Sequence, residues 1–296
     1  MDGSLISACL ILAGIGLFFG LLLSVAKIKL YVEKDARIDL IKEALPGANC
    51  GACGFPGCAG YATKIVMENS KMSLCPVGGS ETVGKIAAIM GTDSVETITP
   101  LTARIHCHGG NAVTTQRFTY SGPKSCIAAY DTMGGSKTCS FGCLGFGDCV
   151  SACLFDAIHM GKNGIPIVDL DKCTGCNNCV IECPRNIIEL VPASIETVVL
   201  CKNTEKLSAM KKGCSVGCTG CKLCEKNCPE AAITVTSFCA SIDYLKCNNC
   251  MKCVEVCSIP VIHPIEKSKK YQETLNPTVK VPTNKDLSPN VQDEAV

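Results

Sequence analysis

The stretch CTGCKLCEKNCP, residues 218–229, determines the fold that this chain is expected to adopt. Its cysteines follow the spacing C-x2-C-x2-C-x3-C-P, and the run CTGCNNCVIECP at residues 173–184 repeats it. A third copy, CNNCMKCVEVCS, occupies residues 247–258 with serine in place of the final proline. In such runs three closely spaced thiolates bind one cubane cluster and the fourth binds a second cluster. Chance or purely structural cysteines would not repeat this spacing three times, so the sequence predicts [4Fe–4S] clusters.

A fourth cysteine run is degenerate. CSFGCLGFGDCVSAC, residues 139–153, has the same length as CSVGCTGCKLCEKNC, residues 214–228, but Phe146 stands where the second run has a ligand. Cys139, one short turn upstream, is expected to replace the missing thiolate. Its counterpart Cys214 is then spare.

The runs pair into two ferredoxin-like units, 136–192 and 211–265, and the last cysteine of each run crosses to the other cluster of its unit. Strand-like stretches at 165–171 and 233–244 lie between the paired runs, which indicates a small duplicated βαβ fold. The expected ligand sets are Cys139, Cys143, Cys149 and Cys183; Cys173, Cys176, Cys179 and Cys153; Cys218, Cys221, Cys224 and Cys257; and Cys247, Cys250, Cys253 and Cys228.

A compact C-x2-C-x4-C triplet, followed at a distance by a Cys-Pro pair, lies nearer the N-terminus. Zinc is the alternative ligand here, but zinc sites are usually built from two separated pairs of residues. The triplet therefore favours a fifth cubane, held by a small helical module with helices expected over 36–45 and 60–70. The expected ligands are Cys50, Cys53, Cys58 and Cys75.

The remaining cysteines follow no recognised spacing. The chain has 26 cysteines, and the five expected clusters use 20 of them. One of the others, Cys9, lies in an apolar N-terminal segment. The other five are enough for a sixth cluster. RIHC at 104–107 resembles VVLC at 198–201, which supports a shared role for the two cysteines, and ordinary buried thiols are the alternative. These residues are Cys107, Cys126, Cys201, Cys214 and Cys239, of which the first four form one example of a ligand set.

The N-terminal segment is expected to anchor the chain in a membrane. Residues 5–26 carry no charge, and a helix of that length spans a hydrocarbon core of about 30 Å. Only Asp2 precedes the segment, whereas a cleaved signal peptide would begin with basic residues. The positive-inside rule predicts a single pass through the cell membrane, with the N-terminus outside and the cysteine-rich part in the cytoplasm. The basic residues that follow the segment are Lys27, Lys29, Lys34 and Arg37.

Composition argues against several classes of function. Lys and Arg number 28 against 27 Asp and Glu, so no basic surface for nucleic acid is indicated. No phosphate-binding glycine motif follows a strand, and no acid, base or nucleophile constellation is visible. The chain has no Trp and 5% aromatic residues, so the part beyond the anchor is poorly equipped to form one large core. Metal–thiolate bonds are expected to stabilise it instead.

These features together resemble one family, the B subunit of the Rnf complex, a membrane-bound ferredoxin:NAD oxidoreductase that pumps sodium ions or protons. The resemblance covers the chain up to about residue 265, and its most telling stretches are NCGACGFPGCAGYA (49–62), GCLGFGDCVSAC (142–153) and GCTGCKLCEKNCP (217–229). Leu154 and Ser258 depart from the family pattern, where proline follows the last cysteine, but the ligands are intact.

The resemblance implies a translocase subunit that accepts electrons from reduced ferredoxin and relays them through its clusters to the other subunits. Its partners would be the membrane subunits, the NAD- and flavin-binding subunit, and the membrane itself. The alternative is an iron–sulfur subunit that serves a soluble reductase or reduces an iron–sulfur sensor. A third hypothesis is a scaffold that zinc ions stabilise and that has no redox role. A cationic patch near the cluster ligands is expected to receive ferredoxin, and its residues are Lys222, Lys226, Lys246 and Lys252.

The expected fold class is α+β, with a single transmembrane helix, a small helical [4Fe–4S] module and two tandem bacterial-type two-cluster ferredoxin-like units. The expected divisions are 1–30 for the anchor, 31–98 for the helical module, 99–135 for a connecting segment, 136–192 for the first unit, 193–210 for a connector, 211–265 for the second unit and 266–296 for an extended tail.

Overall fold

The computed structural model describes residues 3–30, 35–92 and 98–265, so Lys34 and the expected tail at 266–296 lie outside the described residues. Helix α1 spans Gly3–Lys29 and is long and apolar enough to cross a membrane. None of its apolar stretch is buried inside the molecule. A helix that is apolar on all sides requires an apolar environment, and so α1 fits a single-pass membrane anchor.

A small helical module follows the anchor. Its core is formed by Ile41, Tyr61 and Ile86, all nearly inaccessible to solvent. Asp35 caps the first helix by accepting a hydrogen bond from the Arg37 N–H at 2.9 Å, as N-cap carboxylates do. Both expected helices are confirmed, although the second begins three residues earlier. The helices are α2 (Ala36–Ala44), α3 (Gly57–Glu68) and α4 (Gly79–Met90), with a 3-10 turn at Met72–Leu74.

The rest of the described chain contains four two-stranded antiparallel sheets. The first half (98–192) has an outer pair, β1 with β4, and an inner pair, β2 with β3, and the second half (193–265) repeats this with β5 and β8 outside and β6 and β7 inside. The strands are β1 (Leu101–Ile105), β2 (Ile158–Met160), β3 (Pro166–Val168), β4 (Ile188–Pro192), β5 (Thr197–Val199), β6 (Ile233–Thr236), β7 (Cys239–Ile242) and β8 (Ile262–Pro264).

The pairing differs from the expected βαβ units, whose strands would be parallel. In the inner pairs the two strands are joined by turns of a few residues, and a parallel pair needs a crossover of a dozen or more. The stretch 233–244 is therefore a hairpin rather than one strand, and it turns at Ser237 and Phe238, which both have positive φ.

The expected connecting segments are also part of the folded halves. Strand β1 lies within the segment 99–135, and its Leu101 pairs with Pro192 of β4. Strand β5 lies within 193–210, and its Thr197 pairs with Pro264 of β8. The boundaries at 136 and 211 therefore separate each half from its own first strand.

Short helices present the cysteines. Four of them, α6, α7, α9 and α10, are four residues long, begin after a residue with positive φ and carry a buried cysteine as their second residue. The same local structure is thus formed four times by the repeated spacing. The helices of the two halves are α5 (Cys126–Asp131), α6 (Asp148–Ser151), α7 (Asn178–Ile181), α8 (Leu207–Gly213), α9 (Leu223–Lys226) and α10 (Lys252–Glu255).

Each half has its own small core, in which thiols are packed among aliphatic side chains. Ile158 and Ile188 contact this core in the first half, and Ile233 and Ile262 do so in the second. The cysteines that the short helices present are members of the same cores. Burial of the aliphatic residues therefore fixes the positions of the thiols.

Candidate iron–sulfur sites

The N-terminal module brings its thiols together around a loop. Asn49, which has a positive φ, accepts a hydrogen bond from the Cys58 N–H at 2.9 Å and thereby closes the loop. Cys75 is buried, and burial raises the pKa of its thiol; the neighbouring thiols of Cys53 and Cys50 raise it further. The structure therefore places these cysteines near one another, as the spacing predicts.

In the first half, one cavity of about 310 Å³ is bordered by the thiols of the second expected set. The sulfur of Cys153, which reaches this cavity from the other run, accepts a hydrogen bond from the Ala157 N–H at 3.3 Å. The sulfur of Cys173 accepts one from the Ala103 N–H at the same distance. The cysteines that line the cavity are Cys153, Cys173, Cys176 and Cys179.

The second half has the corresponding cavity, of about 330 Å³. Here Cys228 crosses from the other run, and its sulfur accepts a hydrogen bond from the Ala232 N–H at 3.3 Å, which reproduces the contact of the first half. The cysteines that line this cavity are Cys228, Cys247, Cys250 and Cys253.

The thiols of the regular run in the second half also converge. Cys224 is buried, and burial raises its pKa to about 11. The nearby thiols of Cys218, Cys257 and Cys221 contribute to this rise, so the crossing Cys257 lies near the run.

The degenerate run differs from its prediction. A cavity of about 370 Å³ in the first half is lined by Cys143, Cys149 and Cys183, and the fourth cysteine that borders it is Cys126. Cys139, the expected replacement ligand, borders a different cavity. The physical reason is that Phe146 supplies no thiol to this cavity, and helix α5 places the thiol of Cys126 there instead.

Asp148 holds α5 in this position. Its carboxylate accepts hydrogen bonds from the Ser125 hydroxyl and the Cys126 N–H, both at 2.8 Å, and from the Ile127 N–H at 3.2 Å. Burial alone would raise the pKa of Asp148, but these hydrogen bonds outweigh it and keep the pKa below its ordinary value. Asp148, the first residue of α6, thus positions Cys126, the first residue of α5.

The last cavity, of about 350 Å³, lies between the two halves. Cys214, which the alignment of the runs leaves spare, borders it together with three other cysteines. Spacing gives no signal for this grouping, and the resemblance of RIHC to VVLC is the one sequence feature that points to it. The cysteines are Cys107, Cys139, Cys201 and Cys214.

The arrangement of donors fits multi-atom clusters. A zinc ion needs its ligands to meet at one point. Among residues 3–30, 35–92 and 98–265, no three His, Cys, Asp or Glu side chains do so. Each cavity described above is instead bordered by four thiols, and a cubane binds each thiolate through a separate iron.

Neighbouring cysteine sets lie close to one another. Burial and neighbouring thiols together raise the pKa of Cys179 to about 12, and Cys149 of the adjacent set is among those thiols. Burial likewise raises the pKa of Cys176, and a nearby thiol of the N-terminal module, Cys50, adds to the effect. The sets therefore form a series that reaches the N-terminal module.

Two family models match parts of the chain. Residues 45–77 match the family described as a putative Fe-S cluster, which covers the N-terminal cysteines. Residues 166–189 match the 4Fe-4S binding domain, which covers the run that begins at Cys173. Both matches support iron–sulfur clusters in this chain.

Three curated relatives match most of the chain. The B subunit of the Na⁺-translocating ferredoxin:NAD⁺ oxidoreductase complex of Acetobacterium woodii is 41% identical over 85% of this chain and 75% of its own length. The B subunit of the ion-translocating oxidoreductase complex of Methanosarcina acetivorans is 40% identical over 87% of this chain and 97% of its own. The B subunit of the proton-translocating ferredoxin:NAD⁺ oxidoreductase complex of Clostridium ljungdahlii is 38% identical over 88% and 92%. The chain therefore belongs to the family of B subunits of ion-translocating oxidoreductase complexes, the Rnf family.

Proposed function

We propose that this chain is the electron-transfer B subunit of a membrane-bound ferredoxin:NAD⁺ oxidoreductase that pumps sodium ions or protons. It accepts electrons from reduced ferredoxin and passes them to the membrane subunits and to the subunit that binds NAD and flavin. The observation that carries this proposal is the series of cysteine sets, which runs from exposed thiols in the second half to the N-terminal module beside the anchor.

The two halves are proposed to be tandem two-cluster ferredoxin-like units, extended by the strands β1 and β5. Each unit repeats the inner hairpin, the outer strand pair and the two short helices that follow a residue with positive φ. A bound cubane supplies reversible one-electron exchange and needs no acid or base from the protein. Outside the degenerate run, the ligands that we assign are those predicted from the spacing.

The protein's own contribution is to space the thiolates and to set their electrostatic environment. Backbone N–H groups of Ala103, Ala157 and Ala232 donate hydrogen bonds to ligand sulfurs at 3.3 Å. Such bonds stabilise the more negative, reduced state and therefore raise the reduction potential. The small cores hold these amides rigidly, so the donors are in place before the charge changes.

The exposure of the thiols supports electron flow from the second half to the first. In the second half Cys221 and Cys250 are exposed, and Lys222 follows the first of them directly. In the first half the counterpart of Cys250 is Cys176, which is buried and lies near Cys50 of the N-terminal module. The second half therefore offers the open side to a soluble donor, and the first half faces the module that is joined to the anchor.

The membrane location is proposed from α1 and its flanking charges. The last turn of α1 carries Lys27 and Lys29, and by the positive-inside rule these residues stay on the cytoplasmic side. The iron–sulfur part then lies in the cytoplasm, where thiols stay reduced and available to metal.

The proposal is tested with the full-length chain, purified anaerobically in detergent with its clusters loaded. Chemically reduced ferredoxin is mixed with it, and the visible absorption of the clusters is followed. We expect rapid bleaching by ferredoxin and none by NADH, because the described residues contain no nucleotide-binding motif. Bleaching by dithionite but not by ferredoxin would contradict the proposal. Co-purification with multi-span subunits and a flavoprotein distinguishes the membrane complex from a soluble reductase.

A further inference from the structure

The cavity between the two halves has the same construction as the sites that the repeated runs form. Its volume of about 350 Å³ lies between those of the other three cavities, at 310 to 370 Å³. All four of its thiols are buried, with exposed fractions between 6% and 9%. None of the four belongs to the part of the chain that the two family models match.

Two of the four cysteines occupy equivalent positions in the duplicated fold. Cys107 lies two residues beyond β1, and Cys201 lies two residues beyond β5. The residue between strand and cysteine extends the outer strand pair in both halves. The backbone N–H of His106 donates to the Ile187 carbonyl at 2.7 Å. The backbone N–H of Leu200 donates to the Val261 carbonyl at the same distance. The same backbone geometry therefore aims each cysteine at the junction.

The other two cysteines are also equivalent, because each begins one of the two aligned runs. Gly213 permits their close approach, since a Cβ atom on it would lie 3.0 Å from the Cys139 nitrogen. The Gly213 carbonyl accepts a hydrogen bond from the Thr115 N–H at 3.1 Å, which joins the second half to the first beside Cys214. Each half thus contributes one equivalent pair of thiols, as expected for a site on a pseudo-twofold axis.

The sulfurs receive hydrogen bonds of the kind that the ferredoxin-type ligands receive. The Cys143 N–H donates to the Cys107 sulfur at 3.3 Å, and the Cys218 N–H donates to the Cys201 sulfur at 3.4 Å. The side-chain amide of Asn203 donates to the Cys139 sulfur, also at 3.4 Å. These amides favour sulfur in its thiolate form, the form that binds metal.

The surroundings favour a negatively charged occupant. Lys137 is 2% exposed, and its ammonium group donates to the Gly109 carbonyl at 3.2 Å. A buried ammonium requires nearby negative charge, and an oxidised cubane with four thiolates carries a formal charge of about −2. Gly109 leaves space beside two of the sulfurs. A Cβ atom on it would lie 3.2 Å from the Cys214 sulfur and 3.7 Å from the Cys107 sulfur.

We propose that Cys107, Cys139, Cys201 and Cys214 bind a sixth [4Fe–4S] cluster at the junction of the two halves. Cys126 then completes the cluster of Cys143, Cys149 and Cys183 in place of Cys139, and Cys9 and Cys239 are the two cysteines left without a cluster. The new site does not depend on the identity of the electron donor.

The site connects the two units. Cys143 and Cys218, whose amides bond to its sulfurs, are themselves ligands of the flanking sets, one in each half. The sixth cluster therefore lies between a cluster of the first half and a cluster of the second half. An electron received by the second half passes through this junction to reach the N-terminal module.

Iron and sulfide analysis of the full-length, anaerobically loaded chain gives the first test. Six cubanes require about 24 iron atoms and as many sulfides per chain, and five require about 20. We expect the higher value. A fully loaded chain that holds about 20 iron atoms would overturn the proposal without any substitution.

Serine variants give the second test, with a buried cysteine as the matched control. Cys201→Ser and Cys107→Ser should each lose one cluster or convert it to a three-iron form with its own low-temperature spin-resonance signal. Cys239→Ser, which alters a buried thiol beside Cys201, should keep the wild-type iron content. The proposal fails if Cys201→Ser and Cys107→Ser both hold as much iron as Cys239→Ser.

A rescue experiment tests whether Cys126, rather than Cys139, completes the cluster of Cys143, Cys149 and Cys183. The backbone on either side of Phe146 has φ of 84° and 87°, at Gly145 and Gly147, and the corresponding residues of the regular run have 66° and 62°. A cysteine at position 146 should therefore take the place in its loop that Cys221 has in the regular run. Phe146→Cys should restore the cluster that Cys126→Ser loses, and it should not restore the one that Cys139→Ser loses. Rescue of Cys139→Ser instead would overturn the assignment.

Discussion

A single buried thiol that binds no proposed cluster, Cys239, lies beside two others that do. Its sulfur donates a hydrogen bond to the Cys201 carbonyl at 3.2 Å. The Cys239 thiol also lies within reach of the sulfurs of Cys201 and Cys218, and the availability of its one proton to these acceptors lowers the pKa of both residues. Because those two residues belong to different cysteine sets, one S–H group acts on both sites.

We predict that Cys239→Ala makes the reduction potentials of two clusters more negative. The S–H donor stabilises the additional negative charge of the reduced state, and a hydrogen bond of about 0.5–1 kcal/mol corresponds to about 20–40 mV for one electron. Potentiometric titration followed by low-temperature spin resonance measures the change. Cys9→Ala is the control, because Cys9 lies in α1 and should leave every potential unchanged. Equal titration curves for the two variants would show that Cys239 does not tune the clusters.

At the residue scale, the cysteines that repeat a spacing are grouped by that spacing alone. For the remaining cysteines the sequence offers the set Cys107, Cys126, Cys201 and Cys214, and the structure has Cys139 in place of Cys126. A C-x2-C-x2-C run fixes three thiols through one short loop and one turn of helix, so their grouping is a local property. Cys126 and Cys107 reach their cavities from distant segments, and their grouping depends on tertiary packing. Phe146 shows that a ligand is missing from the run, but the sequence predicts Cys139 as its replacement, whereas the structure places Cys126 at this cavity.

Helix α5 depends on a cap from another element. Its own N-cap, Ser125, accepts a bond from the Ala128 N–H at 3.5 Å, whereas Asp148 of α6 accepts from the Cys126 N–H at 2.8 Å. The carboxylate is therefore the stronger partner of the helix start, where backbone N–H groups lack acceptors within the helix.

We predict that Asp148→Ala makes the cluster next to α5 labile. Loss of the carboxylate leaves several donors unsatisfied, at a cost of about 1–3 kcal/mol, and frees Cys126 to move from the cavity. The rate of iron release to a chelator should rise for about four iron atoms per chain and stay unchanged for the rest. Asp131→Ala is the matched control, because Asp131 is exposed at the other end of α5. Equally fast release from both variants would refute this role.

At the element scale, the inner strands were visible in the sequence because they alternate apolar and polar residues between the cysteine runs. The sequence places the outer strands β1 and β5 within connectors, since each strand is short and its partner lies at the far end of its half. Leu101 pairs with Pro192, about ninety residues away, and no local pattern encodes such a pairing. Their function is nonetheless specific, because each ends two residues before a cysteine of the junction.

On the scale of the whole molecule, the orientation of the anchor determines where the clusters work. We predict that a protease added to intact right-side-out membrane vesicles does not digest residues 136–265. By the positive-inside rule, the basic residues in the last turn of α1 and just after it are expected to keep this part in the cytoplasm. Opened vesicles serve as the control, in which the same protease should reach exposed sites. Digestion in intact vesicles would refute the orientation.

The exposed residues of the second half include lysines, an apolar side chain and two thiols. Lys222 and Lys246 form ion pairs with Glu225 and Asp243, at 3.8 Å and 3.3 Å. Leu245 is 93% exposed on the same half. Two further exposed lysines, Lys226 and Lys252, form no ion pair with any residue in the described part of the chain.

A cationic patch is needed here because the loaded protein is acidic. The sequence has a formal charge of +1, and the six proposed cubanes, when oxidised and bound by their thiolates, would change it to about −11. Ferredoxins are typically acidic as well, so net charge repels the donor and a local patch must attract it. Attraction of this kind is screened over about 8–10 Å at physiological salt, and the rate of association should fall steeply as salt is added.

We predict that the double variant Lys226→Glu, Lys252→Glu slows reduction by ferredoxin at low salt by about tenfold or more and flattens the salt dependence, while iron content is unchanged. These two lysines give the clearest test, because reversing their charge breaks no ion pair between described residues. Stopped-flow bleaching over a range of ionic strength measures the effect. The control reverses Lys124 and Lys162, two exposed lysines of the first half that form no ion pair with any described residue, and should behave as wild type. If the test variant is reduced as fast as the control at low salt, ferredoxin docks elsewhere, and the N-terminal module is the next surface to examine.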